Sequence, residues 1–141
     1  MQVTLTNYPR EKWRLLQLLQ AFAEKHEVSP RVVHAADQAL EEHLTNVMTY
    51  GYEDDSPHKI LVRLGIARDA LQIEVEDDGK PFNPLEQPEP DLAIPLVDRP
   101  IGGLGIFLIR QFMDELNYRR KADHNIFQMR KRLQPIASKL S

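Results

Sequence analysis

The chain has 141 residues and carries 18 Lys and Arg against 21 Asp and Glu, a formal net charge of -3. That length suits one domain, the 42% hydrophobic and 28% charged content is that of a globular chain rather than a disordered one, and the acidic balance disfavours nucleic acid as a main partner because phosphate neutralisation needs a basic face. With no cysteine, disulfides, thiolate catalysis and cysteine-based zinc or iron–sulfur sites are excluded, and with no secretory leader and no apolar run near the roughly 20 residues that span a bilayer, a cytoplasmic protein without a membrane partner is expected.

Val3 and Leu5 alternate with Thr4 and Thr6 and predict a short strand. Pro9 then opens a predicted helix over 9–26, with Leu15, Leu18, Leu19 and Phe22 on one face. Tyr8 and Trp13 are assigned to the packing of that helix. Ser29-Pro30 is a helix start, serine as N-cap and proline at the first helical position. The second helix is predicted over 30–50, with a core stripe of Val33, Ala36, Leu40, Leu44 and Val47 and Gly51 as its stop. Strands follow over 59–64 and 71–76, joined by a turn at Arg68-Asp69-Ala70 and paired antiparallel.

Six prolines then fall between Pro81 and Pro100, bounded by Gly79 on one side and by Gly102, Gly103 and Gly105 on the other. A connection over 80–101 exceeds the roughly 12–15 residues at which a structureless loop becomes unusual, and with both ends sharply punctuated it reads as a functional lid. Glycine at the edges and proline within suit a lid that moves as a unit, mobile without ligand and protected with it. A third helix is predicted over 105–113, a strand over 117–121, a turn at Asp123-His124-Asn125 and a last strand over 126–133. The basic runs Arg119-Arg120-Lys121 and Arg130-Lys131-Arg132 read as solvated strand faces. The order β-α-α-β-β-loop-α-β-β leaves few elements for a parallel crossover. The expected fold is an α/β (α+β) two-layer sandwich, a mixed, mostly antiparallel sheet with helices on one face. It is one domain over 1–134, the lid at about 80–101, with a tail over 135–141.

Three stretches carry chemistry. In Val75-Glu76-Asp77-Asp78-Gly79-Lys80-Pro81-Phe82 a strand ends in an acidic pair and a glycine. A carboxylate there is a fixed acceptor suited to a purine amine, and the glycine admits a close backbone or a flat ligand; the same residues also suit a solvated Asp-Gly turn. In Ile101-Gly102-Gly103-Leu104-Gly105 glycines run into a helix N-terminus. Such a segment can cradle phosphate with its N–H groups or serve as a hinge and cap. It matches neither the Walker nor the Rossmann spacing. In Glu41-Glu42-His43-Leu44-Thr45-Asn46, Glu42 and Asn46 share a helical face away from the core stripe. Solvent exposure accounts for that, and so does a pairing in which Asn46 offers an oxygen to hydrated Mg²⁺ and Glu42 activates a hydroxyl or water. Glu41 lies about 100° round the helix. The five histidines show no His-x-x-x-His pair, so no transition-metal site is expected. Arg99 and Arg110 either meet a terminal phosphate or are solvated.

Together the segments EEHLTNVMTYGY, VEDDGKPFNP and GGLGIFLIRQFMDELNY resemble the N, G1 and G2 boxes of the histidine-kinase-like (GHKL) ATPase superfamily, and within it the chain is most similar to the anti-sigma factor serine/threonine kinases. The resemblance covers nearly the whole chain. It implies that ATP and Mg are the cofactors, that Asn46 is the magnesium-linked asparagine and that Glu42 is the general base. It implies that Asp77, rather than Asp78, takes the adenine amine through its Asp-x-Gly spacing to Gly79, and that Gly102, Gly103, Leu104 and Gly105 bind phosphate. The threonine that often assists the adenine-binding aspartate aligns with Gln128. Without an upstream dimerisation helix bearing a phospho-accepting histidine, a sensor histidine kinase is not expected. The implied function is an ATP-binding regulator that phosphorylates a serine or threonine on an anti-sigma factor antagonist-like partner, sequesters a sigma factor, or both. The alternative is an ATP-dependent protein-binding switch without phosphotransfer. A homodimer is implied by the resemblance alone.

Overall fold

The structure, a computed structural model, describes residues 1–86, 93 and 103–134, with residues 103 and 104 described only by their place in a helix. Most of the expected lid, with Arg99, together with Gly102 and the tail over 135–141, lies outside the described residues.

The elements run β1 (Gln2–Thr6), α1 (Glu11–Lys25), α2 (Pro30–Tyr50), β2 (Lys59–Ala67), β3 (Ala70–Asp77), a single 3₁₀ turn at Pro84–Glu86, α3 (Gly103–Phe112), β4 (Glu115–Lys121) and β5 (His124–Arg132). The five strands form one sheet in the order β1-β2-β3-β5-β4, and every pairing is antiparallel. No parallel pair occurs among the described strands, so the expected mixed sheet is fully antiparallel. Two tight turns make this possible. Arg68 and Asp69 (φ 52° and 62°) join β2 to β3, and Ala122 and Asp123 (φ 52° and 64°) join β4 to β5. Left-handed residues at both central positions match the right-handed twist of the strands they join.

Strand alternation decides the layers. Val3 and Leu5, Ile60, Val62 and Leu64, Ile73 and Val75, and Phe127 and Met129 are all buried on one face. The cross-strand register keeps them in phase: Val62 faces both Val3 and Val75, and Val75 faces Phe127. Against this face pack Leu15, Leu19 and Phe22 of α1, the α2 stripe, and Ile106 and Ile109 of α3. The opposite face is charged, with Arg63 donating to Glu74 at 2.6 Å and to Glu76 at 3.0 Å. This is the two-layer sandwich with helices on one face.

Helix starts follow local chemistry. Ser29 Oγ accepts from the Val32 N–H, as its place before Pro30 predicts. α1 begins at Glu11 rather than at Pro9, because Tyr8 and Pro9 close a turn whose carbonyls accept from Glu11 and Lys12. The α2 stripe is rotated slightly from expectation. Val32, rather than Val33, is fully buried, and His43 joins the stripe. Trp13 departs from its assignment and is 72% exposed, since it stands about half a turn away from the Leu15/Leu19/Phe22 face.

Candidate functional site

A pocket of about 430 Å³ opens between the sheet and α2, and both Asn46 and Asp77 line it. It lies at one end of the sheet, where a single inward-facing row crosses four strands. Ile60 faces Asp77, Asp77 faces Asn125, and Asn125 faces Arg120. One row deeper, Val62, Val75, Phe127 and Tyr118 continue the apolar floor.

Asp77 is 3% exposed, whereas the Asp78 side chain is 47% exposed and points towards His58 at 3.5 Å. Alternation therefore selects Asp77 as the inward carboxylate. Its Oδ1 accepts from the Gly79 N–H at 2.9 Å and from Asn125 Nδ2 at 3.0 Å. Its second oxygen receives no hydrogen bond from the described residues. Burial pushes its pKa up, partly offset by those two donors. The result is a preorganised acceptor with one oxygen left for a ligand.

Asn125 is the hub of the site, although its sequence position reads as a turn. Its Oδ1 accepts from the Tyr118 hydroxyl at 2.5 Å, from Arg120 at 3.1 Å and from the Phe82 N–H at 3.2 Å. Its Nδ2 also donates to the Lys80 carbonyl at 2.9 Å. One buried amide thus ties the β4–β5 hairpin to Asp77 and to the chain leaving β3. Gln128, which sequence alignment placed beside Asp77, lies on the other face between Glu74 and Asn117. Asn125 occupies that position instead. Arg120 is exposed, as expected of a solvated strand face, and its guanidinium also donates to the Gly79 carbonyl at 3.0 Å. A sequence signal existed for Asn125, which is in phase with buried Phe127 and Met129 once β5 is started at His124.

Gly79 meets a backbone. A Cβ placed there would sit 2.7 Å from the Gly51 carbonyl oxygen, and the next N–H, that of Lys80, donates to the same oxygen at 2.9 Å. Gly51 caps α2 in a right-handed conformation (φ -74°); a Cβ there would lie 2.5 Å from the Val47 carbonyl oxygen. Two glycines thus let the end of α2 clip onto the end of β3.

The third stretch joins the site through Gly105. α3 starts at Gly103, so Gly103, Leu104 and Gly105 form its first turn rather than preceding it. A Cβ on Gly105 would lie 2.7 Å from Asn46 Nδ2. Asn46 makes no hydrogen bond among the described residues. Glu42, one turn earlier, does not line the pocket. Its pKa is raised by burial and by Glu41, against Lys12. Glu41 is engaged by Lys12 Nζ at 2.9 Å, while Glu42 makes no hydrogen bond or ion pair among the described residues. Arg110 donates to the Leu85 carbonyl at 3.4 Å.

The residues fit a hydrated divalent ion shared with a phosphate. Asn46 offers an uncommitted hard oxygen, and Mg²⁺ needs few protein ligands because it keeps its waters. Among the described residues, no group of three or more His, Cys, Asp or Glu gathers into a metal cage.

An antiparallel sheet covered on one face by helices, with a buried acceptor and an uncommitted asparagine in the cleft between, defines a two-layer α/β binding domain. The chain belongs to the histidine kinase-like ATPase domain family, whose model matches residues 7–131. It is similar to the serine/threonine-protein kinase BtrW of Bordetella bronchiseptica, 28% identical over 110 residues that cover 78% of each chain. It is also similar to the serine-protein kinase RsbW of Bacillus subtilis, 30% identical over 55% of this chain and 51% of that one. An anti-sigma F factor of Clostridium perfringens is 29% identical over 60% of this chain and 61% of its own length. The chain therefore spans only about half of RsbW. Among solved structures, the histidine kinase domain of the Erythrobacter litoralis EL346 blue-light activated histidine kinase has the same fold, with a TM-score of 0.54 and 21% identity over 73% of this chain and 45% of that one. Among the described residues, no helix is long and apolar enough to cross a membrane.

Proposed function

We propose that this chain binds Mg-ATP in the cleft between α2 and the sheet and transfers the γ-phosphoryl group to a serine or threonine hydroxyl of a regulatory protein partner. The observation that carries this reading is Asp77, a buried carboxylate with one uncommitted oxygen in the pocket that Asn46 also lines. Asp77 accepts from the adenine amine. The N–H groups of the first turn of α3, which starts at Gly103, face the phosphates, where the helix dipole adds positive potential. Asn46 and the phosphates hold the ion, which when bound neutralises phosphate charge. Glu42 takes the proton of the attacking hydroxyl as the new P–O bond forms and ADP leaves. Its raised pKa makes it the better base. Relatives named as serine kinases support the transfer, and the anti-sigma F factor supports a partner of the sigma-factor regulatory type, either an antagonist-like substrate or a sigma factor itself.

That relative is named for what it restrains and not for transfer, so it also favours a second reading, an ATP-ordered docking module. Labelled ATP separates the two. Label that reaches a serine-bearing antagonist-like partner, and disappears with Glu42→Ala while ATP binding survives, is expected of the kinase. Tight ATP binding with no label transferred to such partners would establish the module instead.

A further inference from the structure

His43 is the one buried histidine among the described residues, 3% exposed. It projects from α2 one turn before Asn46 and Val47 and lines the same pocket as Asp77 and Asn125. Its ring lies on Phe127 with centroids 4.5 Å apart. Phe127 belongs to the row below Asp77 and Asn125, about 7 Å further along the strand, so the imidazole forms part of the pocket floor. Neither Nδ1 nor Nε2 has a hydrogen-bond partner among the described residues. A floor that only needed filling would be served better by an aliphatic side chain, because an unmatched buried polar group destabilises the fold.

We propose that His43 reads the nucleotide base: an imidazole N–H donates, directly or through one bound water, to the ring nitrogen beside the exocyclic amine that Asp77 accepts. The inference rests on the nucleotide reading given above and adds a second residue that selects the base. A carboxylate accepts only, so it selects an amine, and an N–H beside it selects a ring acceptor. Adenine presents that pair on its Watson–Crick edge, whereas guanine presents the reverse, a carbonyl oxygen and a ring N–H. Burial holds the imidazole neutral, its pKa lowered to about 4, which keeps one donor and one acceptor at pH 7. Tyr50, Tyr118, Lys80 and Asp77 are the other titratable groups around the pocket. The donor nitrogen of the unliganded imidazole is thereby accounted for, as a group matched only when the base is present.

The test is calorimetric titration of the whole chain with Mg-ATP, Mg-GTP and Mg-1-deaza-ATP, alongside melting without ligand. The proteins are the wild type, His43→Leu, His43→Gln and Asp77→Asn. We expect His43→Leu to melt no lower than wild type and to bind ATP roughly five- to tenfold more weakly, with the ATP-over-GTP preference reduced. His43→Gln recovers part of the loss. The 1-deaza analogue, which lacks the ring nitrogen, loses a similar factor against wild type and nothing further against His43→Leu. If His43→Leu bound all three ligands as wild type does, or melted lower and lost affinity for all three equally, the base-reading role would be wrong. Should His43→Leu not fold, His43→Gln carries the same comparison. Asp77→Asn makes the two levels distinguishable. If it binds ATP as tightly as wild type, the nucleotide reading itself fails; if it loses ATP while His43→Leu does not, only the role of His43 fails.

Discussion

At Asp77 and His43 the molecule buries polar groups whose matching is incomplete, and each has a consequence that can be measured. Asp77→Asn keeps Oδ1, and with it the bonds from Gly79 and Asn125, while removing a charge that burial penalises. The unliganded variant should melt no lower than wild type. It should also lose the stabilisation by Mg-ATP, because its second atom now donates where the adenine amine needs an acceptor. Differential scanning fluorimetry with and without nucleotide reads both effects. His43 supplies a pH dependence. Its folded pKa, about 4, lies below its usual 6.5, so the unfolded chain binds the extra proton first. Stability from this group is complete above about pH 6.5 and falls as the pH drops towards 4. The loss is about 2 kcal/mol by pH 5. Denaturant midpoints at pH 7 and pH 5 should therefore converge in His43→Leu. The comparison isolates His43 from His58, whose pKa is raised by its hydrogen bond to Asp54 and whose slope has the opposite sign.

At the scale of elements, the site depends on two contacts between chain segments. Gly79 lets β3 meet the end of α2, and Gly105 lets α3 meet Asn46. The two glycines should respond differently to alanine. At Gly79 the obstacle is backbone, the Gly51 carbonyl, so either the β3 end or the α2 end has to move. Gly79→Ala should destabilise by about 1–3 kcal/mol, as overpacking does, visible as a lower urea midpoint. At Gly105 the obstacle is the end of a side chain that can turn aside, and alanine favours helix over glycine by up to about 1 kcal/mol. Gly105→Ala should keep or raise the melting temperature while weakening Mg-ATP binding through a displaced Asn46. Equal melting losses at both positions would remove this distinction. The β4–β5 hairpin is the other critical element. Through Asn125 and Arg120 it reaches the Asp77 carboxylate and the Gly79 carbonyl across the sheet.

At the scale of the whole molecule the pocket lined by Asp77 lies between the sheet and α2, so a ligand there touches both layers and should stabilise the fold as a unit. At about 100 times its dissociation constant, Mg-ATP should add roughly 2.7 kcal/mol. A thermal shift that saturates with Mg-ATP, is smaller with Mg-GTP and vanishes in Asp77→Asn is the expected pattern. An unchanged melting temperature at millimolar Mg-ATP would count against the cleft as a nucleotide site.

Much of this architecture could be read from the chain before any coordinates. Strict alternation over 71–76, the Ser29-Pro30 start and the Leu40/Leu44/Val47 stripe each report which side of an element is buried, because burial periodicity is a local property. The choice of Asp77 over Asp78 came from the resemblance, through the Asp-x-Gly spacing to Gly79, and the structure buries Asp77 rather than Asp78. Trp13 was misplaced because a large apolar residue was read without its angular position on the helix. What the chain could not disclose by itself was cross-strand register and the seating of helices on the sheet. Asn125 was hidden because a shift of the hairpin turn by one or two residues changes which side chains face inward. The reach of Arg120 to the Gly79 carbonyl was hidden with it. Gly51 and His43 acquire their meaning only when α2 is laid against β3 and β5. The sequence by itself therefore determined the elements, their inner faces and the residue types able to bind a nucleotide. The tertiary structure decided which of them share a pocket, since Asp77 and Asn125, 48 residues apart, are brought together only by the pairing of β3 with β5.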